Sequence, residues 1–389
     1  MTAIYDVVVV GGGIHGVGVA QTAAADGYKV LLLEQSKLAN GTSGRSSKLI
    51  HGGLRYLESR QFSLVRESLQ ERETLLGIAP DIIELKPFYI PIYRETTRKP
   101  WKIRAGLSLY ALLGNLHTHN RFRIVPKNQW SSLDNLRVQG LRKVFQYHDA
   151  QADDEQLTRA IMRSACSLGA ELKCPASFLN AKHDKQFYQV TWHESGKEIK
   201  CQCKALVNAA GPWVNEVLNK ITPKTTALKI ELIQGAHILL DQPAPKGIYY
   251  VEAPYDKRAI FIMPWHDKTL AGTTETPFEG DPAKVHALEQ EIEYLLDTVS
   301  FYFPEYQRKI IESFAGIRVL PYSNEPAFHR PRGTILHTEL VHPGLLTIYG
   351  GKLTGYRVTA RKVMNSLSSH LPERKAVADT ATLPLSPDQ

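Results

Sequence analysis

Cysteine is scarce in this chain, and no two of its four cysteines form a C-x-x-C pair in a sequence of 389 residues. Four cysteines are too few for a disulfide scaffold at this length, so the chain is expected to work in a reducing compartment. Cys201 and Cys203 lie in an alternating, strand-like run, which is typical of ordinary structural thiols. No metal site is predicted from them.

Long apolar runs are lacking as well. No stretch reaches the ~18 residues that a membrane span needs. The first residues run directly into the strand-like segment 5–11, without a basic segment or a small-residue cleavage site, so a signal peptide is not expected. The sequence therefore predicts a cytoplasmic protein and leaves open a peripheral position on the cytoplasmic face of the inner membrane.

The charge is not concentrated in any one segment. The 47 Lys and Arg residues exceed the 39 Asp and Glu residues by a net charge of +8, spread along the chain. Because there is no long basic tail, binding to nucleic acid is not predicted. The positive excess suits a small anionic substrate or an anionic membrane surface. Nothing in the sequence indicates the oligomeric state.

The pattern of apolar residues changes along the chain. Strand and helix patterns alternate in the first third, which predicts a buried parallel sheet. Later, residues 228–240, 248–251, 259–264 and 269–274 read as strands of an antiparallel or mixed sheet, and 283–302 as a helix covering it. The predicted fold is mixed α/β (α+β), with a Rossmann-like dinucleotide-binding domain and an interleaved substrate domain.

The first of these domains is predicted to be discontinuous. Residues 1–88, 146–226 and 314–372 are assigned to the dinucleotide-binding domain, and 89–145 and 227–313 to the substrate domain. Residues 373–389, with little apolar content, are predicted to form a loose tail.

A glycine-rich turn stands between the first strand and an alanine-rich helix. In Gly11-Gly12-Gly13-Ile14-His15-Gly16, Gly11 permits a tight turn, Gly13 lets the backbone approach a pyrophosphate, and Gly16 lets the helix pack on the strand. Helix N-termini favour negative charge, and Ile14 lies where the phosphates are expected. His15 is interpreted as a solvent-edge or loop residue rather than a catalyst.

An acidic residue completes this motif. The second strand, Val30–Leu33, ends at Glu34, and its carboxylate can accept hydrogen bonds from a ribose diol, with Gln35 beside it. A carboxylate there disfavours a 2′-phosphate, so NADP is not expected. Strand, helix, second strand and acid in register predict a dinucleotide site.

Three later segments favour FAD over NAD. The turn at Gly211 lets the backbone pass close to a cofactor, and the glycines at 350–355 precede a helix whose N–H groups suit the reduced flavin ring. Residues 42–56 combine hydroxyls, glycines and cations, although a plain solvated loop remains an alternative for them. The predicted contacts from these segments are Thr42, Ser43, Ser47, Lys48, His51, Gly53, Gly211, Gly351, Lys352, Leu353 and Thr354.

The stretch Ser46-Ser47-Lys48-Leu49-Ile50-His51-Gly52-Gly53-Leu54-Arg55-Tyr56-Leu57-Glu58 resembles the signature of the FAD-dependent, respiratory glycerol-3-phosphate dehydrogenases. Residues 207–214, 234–237, 264–265, 272–274, 316–318 and 350–354 resemble that family's later motifs in the same order. This resemblance covers almost the whole chain. It implies a fold of the glycine-oxidase-like superfamily, oxidation of sn-glycerol 3-phosphate to dihydroxyacetone phosphate, and electron transfer from FAD to a membrane quinone.

The resemblance also implies roles for individual residues. Those at catalytic positions are His237, Arg318 and Arg55, and those at substrate-binding positions are Arg55, Tyr56, Arg318, Arg330, Lys352 and Thr354, with Arg332 as an alternative to Arg330. The chain departs from the family pattern at Gly355 and Ala236, where threonine and serine are common. The family's usual further helical C-terminal domain is not expected in this chain.

Two alternatives to this function remain open. One is an amino-acid-oxidase-like or 2-hydroxy-acid-oxidising flavoenzyme, and the other is a non-catalytic FAD-binding homologue. Residues 98–123 carry apolar side chains at helical spacing between basic clusters. They predict either an amphipathic helix lying in a membrane surface or a helix packed on the substrate domain.

Overall fold

The computed structural model describes residues 3–184, 186–323 and 333–388. Within them the strands are β1 (Ala3–Val10), β2 (Val30–Leu33), β3 (Leu49–Ile50), β4 (Ile83–Tyr93), β5 (Arg123–Ile124), β6 (Leu141–Ala152), β7 (Glu171–Lys173), β8 (Ser177–Asp184), β9 (Phe187–Glu194), β10 (Lys197–Asn208), β11 (Ile221–Thr222), β12 (Ile230–Pro243), β13 (Ile248–Glu252), β14 (Ala259–Trp265), β15 (Lys268–Gly272), β16 (Thr276–Phe278), β17 (Ile310–Pro321), β18 (Ile335–Glu339) and β19 (His342–Tyr349). The α-helices are α1 (Ile14–Ala25), α2 (Phe62–Ile78), α3 (Pro100–Leu113), α4 (Asp154–Ser167), α5 (Val214–Leu218), α6 (Glu289–Tyr302) and α7 (Tyr356–Leu367).

The first sheet has the order β11-β8-β9-β10-β1-β2-β7, with β19 also paired to β10 and β18 to β19. Its centre is parallel: β1 runs parallel to β10 and β2, and β10 runs parallel to β19. Val7–Val10 are buried on both faces, since α1, α4 and α7 pack on one side and β8, β9 and α5 contribute to the core on the other. This double burial explains the unbroken run of valines.

The second sheet has the order β16-β12-β15-β14-β13-β4-β6-β3, with β17 also paired to β12 and β5 to β6. It is antiparallel except where β13 runs parallel to β4. Helix α6 contributes to the core on one face, and α2 and α3 to the core on the other. The predicted mixed α/β class, with a Rossmann-like unit and a second mixed sheet, is therefore confirmed.

Some predicted limits differ from the structure. The helix predicted from residue 283 begins only at Glu289, because Pro282–Lys284 form a 3₁₀ turn and Leu288, which precedes the helix, is extended. Strand β4 crosses the predicted boundary at residue 88 and lies wholly in the second sheet. The domain boundaries themselves stay a prediction.

The segment predicted as a loose tail is packed against the rest of the chain. It has no helix or strand between residues 373 and 388, yet the Val377 amide donates to the Ala25 carbonyl and the Leu385 amide donates to the Ile78 carbonyl. The Leu385 side chain is buried. Backbone hydrogen bonds and one apolar anchor fix this segment, which its composition did not indicate.

Helix α3 is the helix predicted between the basic clusters. Its inner face buries Ile103, Leu107 and Tyr110, so the alternative of packing on the substrate side is correct for this face. Its outer face leaves Trp101 72% and Leu112 61% exposed. No helix in the described part of the chain is long and apolar enough to cross a membrane.

Candidate active site

A cleft of about 750 Å³ opens between the two sheets. Its walls are the turns after β1, β10 and β19, the loop that follows β2, and strands β12 and β17. The predicted site residues that line it are Gly11, Gly13, Ile14, Glu34, Gln35, Thr42, Ser43, Ser47, His51, Tyr56, Gly211, His237, Arg318, Gly351, Lys352, Leu353 and Thr354. Residues from all parts of the chain thus meet in one place.

Four predicted site residues are not on the cleft wall: Gly16, Lys48, Gly53 and Arg55. Arg330, and its alternative Arg332, lie outside the described residues. Conversely, Arg45 and Thr273 line the cleft although neither was predicted to bind. Arg45 lies within the polar segment 42–56 and Thr273 within the resembling segment 272–274, so only the choice of residue was missed.

The glycines after β1 are required by close contacts. Gly11 has φ of +110°, and a Cβ there would lie 2.6 Å from the Ala209 carbonyl oxygen. A Cβ on Gly16 would lie 1.9 Å from the Gly11 carbonyl oxygen. Gly13 is freer, because its Cβ would meet only the Ser43 hydroxyl, at 3.0 Å. Gly11 and Gly16 therefore let strand and helix meet, and Gly13 keeps the cleft floor open.

The start of α1 presents its amides to the cleft. The Ile14 amide donates to Ser43 Oγ at 2.8 Å, and no side chain caps the helix from Gly13. A hydroxyl oxygen thus lies where a helix N-terminus favours an anion. This is the arrangement that a pyrophosphate requires.

Glu34 is fixed at the end of β2. Its Oε2 accepts from the Gly12 amide at 2.7 Å, and its Oε1 accepts from the Ser36 amide at 2.8 Å. The carboxylate is buried and faces the cleft. Two amide donors orient its oxygens, which suits hydrogen bonds from a ribose diol.

The turn before α7, residues 350–355, lines the cleft next to the start of α1. Gly350 and Gly351 have φ of +68° and +111°, and a Cβ on Gly351 would lie 2.0 Å from His15 Nε2. The His51 amide donates to Thr354 Oγ1 at 3.2 Å, which ties this turn to the loop after β3. Backbone without side chains therefore faces the cleft at both helix starts.

The interpretation of His15 as a solvent-edge residue is wrong. It lies in the first turn of α1 and lines the cleft, with both ring nitrogens shielded from water. Neither nitrogen has a hydrogen-bond partner among the residues that the structure describes. Burial lowers the pKa of His15 to about 4, so the ring is neutral near pH 7.

His237 lies on β12 and is buried in the cleft wall. Its Nε2 lies 3.1 Å from Ser47 Oγ, and its ring stacks on Phe314 with centroids 5.0 Å apart. Burial first, and then the positive charges of Arg318 and Lys48, lower the pKa of His237 to about 3. The imidazole is therefore neutral near pH 7, so one of its ring nitrogens can accept a hydrogen bond.

Arg318 lies on β17, which pairs with β12. Its guanidinium donates to Glu275 Oε1 at 2.8 Å and to Thr273 Oγ1 at 3.2 Å. These two contacts orient the guanidinium in the cleft wall. Glu275 was not predicted, since a carboxylate paired to a distant arginine leaves no pattern in the sequence.

The Lys48 side chain is directed away from the cleft. Its Nζ donates to Asp154 Oδ1 at 2.6 Å and to the Gly44 carbonyl at 2.8 Å, and both charged side chains are buried. Asp154 also accepts from the Ser46 amide and hydroxyl. Lys48 thus fastens the loop after β2 to α4, and its ammonium does not reach the cleft wall.

Lys352 and Tyr56 meet on the cleft wall. Lys352 Nζ lies 3.7 Å from the centroid of the Tyr56 ring, a cation–π contact. Tyr56 belongs to a short 3₁₀ turn with Arg55, which begins after Gly53 at φ of +74°. This turn brings the end of the segment that resembles the family signature, residues 46–58, to the edge of the cleft.

A family model described as FAD dependent oxidoreductase matches residues 6–357. The chain belongs to this family. Among curated proteins, glycerol-3-phosphate dehydrogenase of Pseudomonas aeruginosa is 39% identical over 94% of this chain and 72% of its own length. D-erythritol 1-phosphate dehydrogenase of Brucella abortus is 37% identical over 95% and 74%. The predicted family resemblance is confirmed.

Solved structures give the same fold for this FAD-dependent oxidoreductase. Glycerol-3-phosphate dehydrogenase from Bacillus halodurans, solved with FAD, has a TM-score of 0.78 and 26% identity, over 98% of this chain and 67% of that one. Glycine oxidase from Geobacillus kaustophilus has a TM-score of 0.73 over 99% of both chains. At 19% identity the second likeness concerns the fold alone.

The cleft of this FAD-dependent oxidoreductase fits its cofactor. The bare glycine turn and the start of α1 suit the pyrophosphate, Glu34 suits the ribose, and the turn at Gly351 suits the ring system. The predicted cofactor is therefore confirmed as FAD, whereas the individual contacts stay predictions. Among the described residues no group of three or more His, Cys, Asp or Glu could hold a metal ion.

Proposed function

We propose that this chain oxidises the secondary hydroxyl of sn-glycerol 3-phosphate to give dihydroxyacetone phosphate. The observation that carries this proposal is the neutral, buried His237 beside Arg318 on the wall of a cleft shaped for FAD. The reaction needs a proton acceptor near the substrate hydroxyl and a cationic group near its phosphate, and the two groups must be close enough to contact one small molecule. The names of the most similar curated relatives support the same substrate class.

His237, Ser47 and Phe314 have different roles in the proposed reaction. Bound FAD supplies the acceptor for the hydride that leaves the carbinol carbon. His237 takes the hydroxyl proton as that hydride leaves, so the carbon loses two electrons and a C=O bond remains. Ser47 holds the ring through its contact with Nε2. Phe314 stacks on the imidazole and excludes water from one face.

The phosphate is assigned to the cationic part of the cleft. Arg318 is oriented by Thr273 and Glu275, and Lys352 lies over Tyr56. A phosphate dianion is well matched to a guanidinium fork and an ammonium. Arg55 precedes Tyr56 in the same 3₁₀ turn and is proposed as a further contact to the phosphate of the bound substrate.

A longer phosphorylated polyol is the second candidate. The Brucella abortus relative is named for D-erythritol 1-phosphate and is 37% identical over nearly the whole chain. Anaerobic loss of the visible flavin absorbance decides between the candidates. sn-Glycerol 3-phosphate and D-erythritol 1-phosphate should each be compared with glycerol, 2-hydroxy acids and amino acids.

Rapid flavin reduction by a phosphorylated polyol, and not by glycerol, is the expected result. Reduction by an amino acid or a 2-hydroxy acid instead would replace the proposal with one of those activities. A yellow protein that no compound in the panel reduces would establish a non-catalytic FAD-binding homologue.

We infer further that the electrons pass to a membrane quinone. The support is the outer side of α3, which exposes Trp101 and Leu112 and, in its first turns, Lys102 and Arg104. Aromatic, aliphatic and basic side chains on the outer side of a helix suit an anionic lipid surface. A short-chain quinone should reoxidise the flavin faster than oxygen does. Stoichiometric hydrogen peroxide release in air, without quinone reduction, would refute this.

Sedimentation with anionic vesicles tests the membrane surface directly. Binding should weaken with added salt and with Leu112→Glu. Leu340→Glu is the matched control, because Leu340 is fully exposed in the turn between β18 and β19, away from α3. Equal sedimentation of both variants, or none by the wild type at low salt, would remove the membrane proposal.

A further inference from the structure

Two consecutive amides of the loop after β3 are held from opposite sides. The His51 amide donates to Thr354 Oγ1, in the turn before α7, at 3.2 Å. The Gly52 amide donates to the hydroxyl of Tyr110, on α3, at 2.9 Å. This loop, residues 51–53, leads directly into the 3₁₀ turn that carries Arg55 and Tyr56. The cleft loop is thus tied to the cofactor side and to α3.

The hydrogen-bonding direction of Tyr110 is fixed by its other partner. Its hydroxyl donates to Asp149 Oδ2 at 2.6 Å, which leaves an oxygen lone pair for the Gly52 amide. Asp149 Oδ1 in turn accepts from Arg72 Nη1 at 2.7 Å. Burial first, and then the Asp149 charge, raise the pKa of Tyr110 well above its usual value, so the donor proton is kept.

This hydrogen-bonded chain is buried throughout. Arg72 and Tyr110 are 0% exposed and Asp149 is 1% exposed. The buried charges of Arg72 and Asp149 neutralise each other, which a buried ion requires. A group of this kind supports one orientation of the hydroxyl and no other.

Packing at Gly52 makes the contact close as well as directional. A Cβ on Gly52 would lie 2.4 Å from the Tyr110 hydroxyl oxygen and 2.5 Å from Leu69 Cδ2. The loop backbone therefore rests against α3 and α2 with no room for a side chain. The hydroxyl sets how near the loop can lie to α3.

We propose that Tyr110 is a positioning residue for the substrate end of the cleft. It acts through Gly52, and it fixes the distance between α3 and the loop that presents Tyr56 to the cleft. Tyr110 itself is not on the cleft wall. The choice of substrate in the kinetic part of the test rests on the proposed function, whereas the effect on the loop does not.

Tyr110→Phe removes only the hydroxyl and leaves the Gly52 amide without its acceptor. We expect KM for sn-glycerol 3-phosphate to rise about five- to tenfold, with kcat changed less than about twofold. Amide hydrogen exchange in peptides covering residues 51–53 should be about tenfold faster. FAD should remain bound.

Tyr93→Phe is the matched control. Tyr93 is equally buried in the second sheet, and its hydroxyl donates to the Arg137 carbonyl at 2.6 Å, on a part of the chain that does not line the cleft. This variant should lose stability without a rise in KM or faster exchange at 51–53. Gly52→Ala, which disturbs the same contact from the loop side, should raise KM as Tyr110→Phe does, and it serves if Tyr110→Phe does not fold.

The outcomes separate the two proposals. If sn-glycerol 3-phosphate does not reduce the wild-type flavin, the proposed function fails, and exchange at 51–53 still decides the role of Tyr110. If Tyr110→Phe and Tyr93→Phe lose stability alike while KM and exchange stay at wild-type values, the hydroxyl only stabilises the fold and the positioning role is rejected.

Discussion

The two walls of the cleft bind by different means. On the wall formed by the first sheet, backbone turns face the cleft, and Gly11 and Gly351 admit no side chain. On the wall formed by the second sheet, the side chains of His237 and Arg318 project from two long paired strands. A cofactor held by amides needs an approach free of Cβ atoms, whereas a proton acceptor and a cation need a rigid support. Substitutions should therefore act through shape on the first wall and through charge on the second.

The largest effect is expected at the contact between β1 and α1, which supports the first wall. Gly16→Ala places a Cβ 1.9 Å from the Gly11 carbonyl oxygen, so strand β1 and helix α1 can no longer pack together. We expect loss of bound FAD and of most soluble protein, measured by flavin content and circular dichroism. Gly106→Ala in α3 is the control, since a Cβ there meets nothing within 4 Å. A folded, fully flavin-loaded Gly16→Ala protein would show that FAD binding does not depend on the close contact between β1 and α1.

The next effect concerns the proton acceptor on the second wall. His237→Asn keeps a polar side chain but removes the basic nitrogen, and flavin reduction by substrate should slow by ~10²–10⁴-fold. FAD content should stay at the wild-type level, because the substitution leaves the first wall intact. Stopped-flow flavin reduction measures this. An unchanged rate would mean that His237 only packs against Phe314.

Arg318→Ala should have a smaller effect on the same wall. Loss of a charged hydrogen bond costs ~1.5–3 kcal/mol, so kcat/KM should fall roughly ten- to a hundredfold. Arg318→Lys should recover part of the loss, since the charge remains while the bidentate fork is gone. Equal kcat/KM for the wild type and the alanine variant would show that the phosphate binds elsewhere.

The smallest effect is on stability in mild acid. The pKa of His237 is near 6.5 in the unfolded chain and about 3 when folded, so below pH 6.5 the unfolded state binds the extra proton and stability falls as the pH falls. Between pH 7 and pH 5 this amounts to about 2 kcal/mol. Urea unfolding at the two pH values should show a smaller loss for His237→Asn. The same loss in both proteins would show that the imidazole is not buried as described.

Local sequence was enough to predict the first wall. Gly11, Gly16 and Glu34 lie in one strand–turn–helix–strand unit, so their spacing fixes their geometry. The fold class, the family and FAD were predicted and are confirmed. The roles of the substrate-side residues stay predictions, since they were placed by resemblance.

Long-range pairing explains what was missed. Lys48 was predicted to bind the cofactor, but its partner Asp154 lies in a distant helix that no local pattern connects to it. His15 was misplaced because its surroundings include Gly351, from the far end of the chain. The segment after residue 373 was predicted to be loose because its contacts are backbone hydrogen bonds, which composition does not reveal.

The order of strands in the first sheet has a consequence for synthesis of the chain. β1 pairs with β10, roughly 200 residues later, and β10 pairs with β19, which ends at Tyr349. During translation the valines of β1 cannot pair with β10 until about 200 residues have been synthesised after them, so their apolar surface stays incompletely covered until then. Because the turn after β19 lines the cleft, a chain that lacks β19 and this turn should not hold FAD.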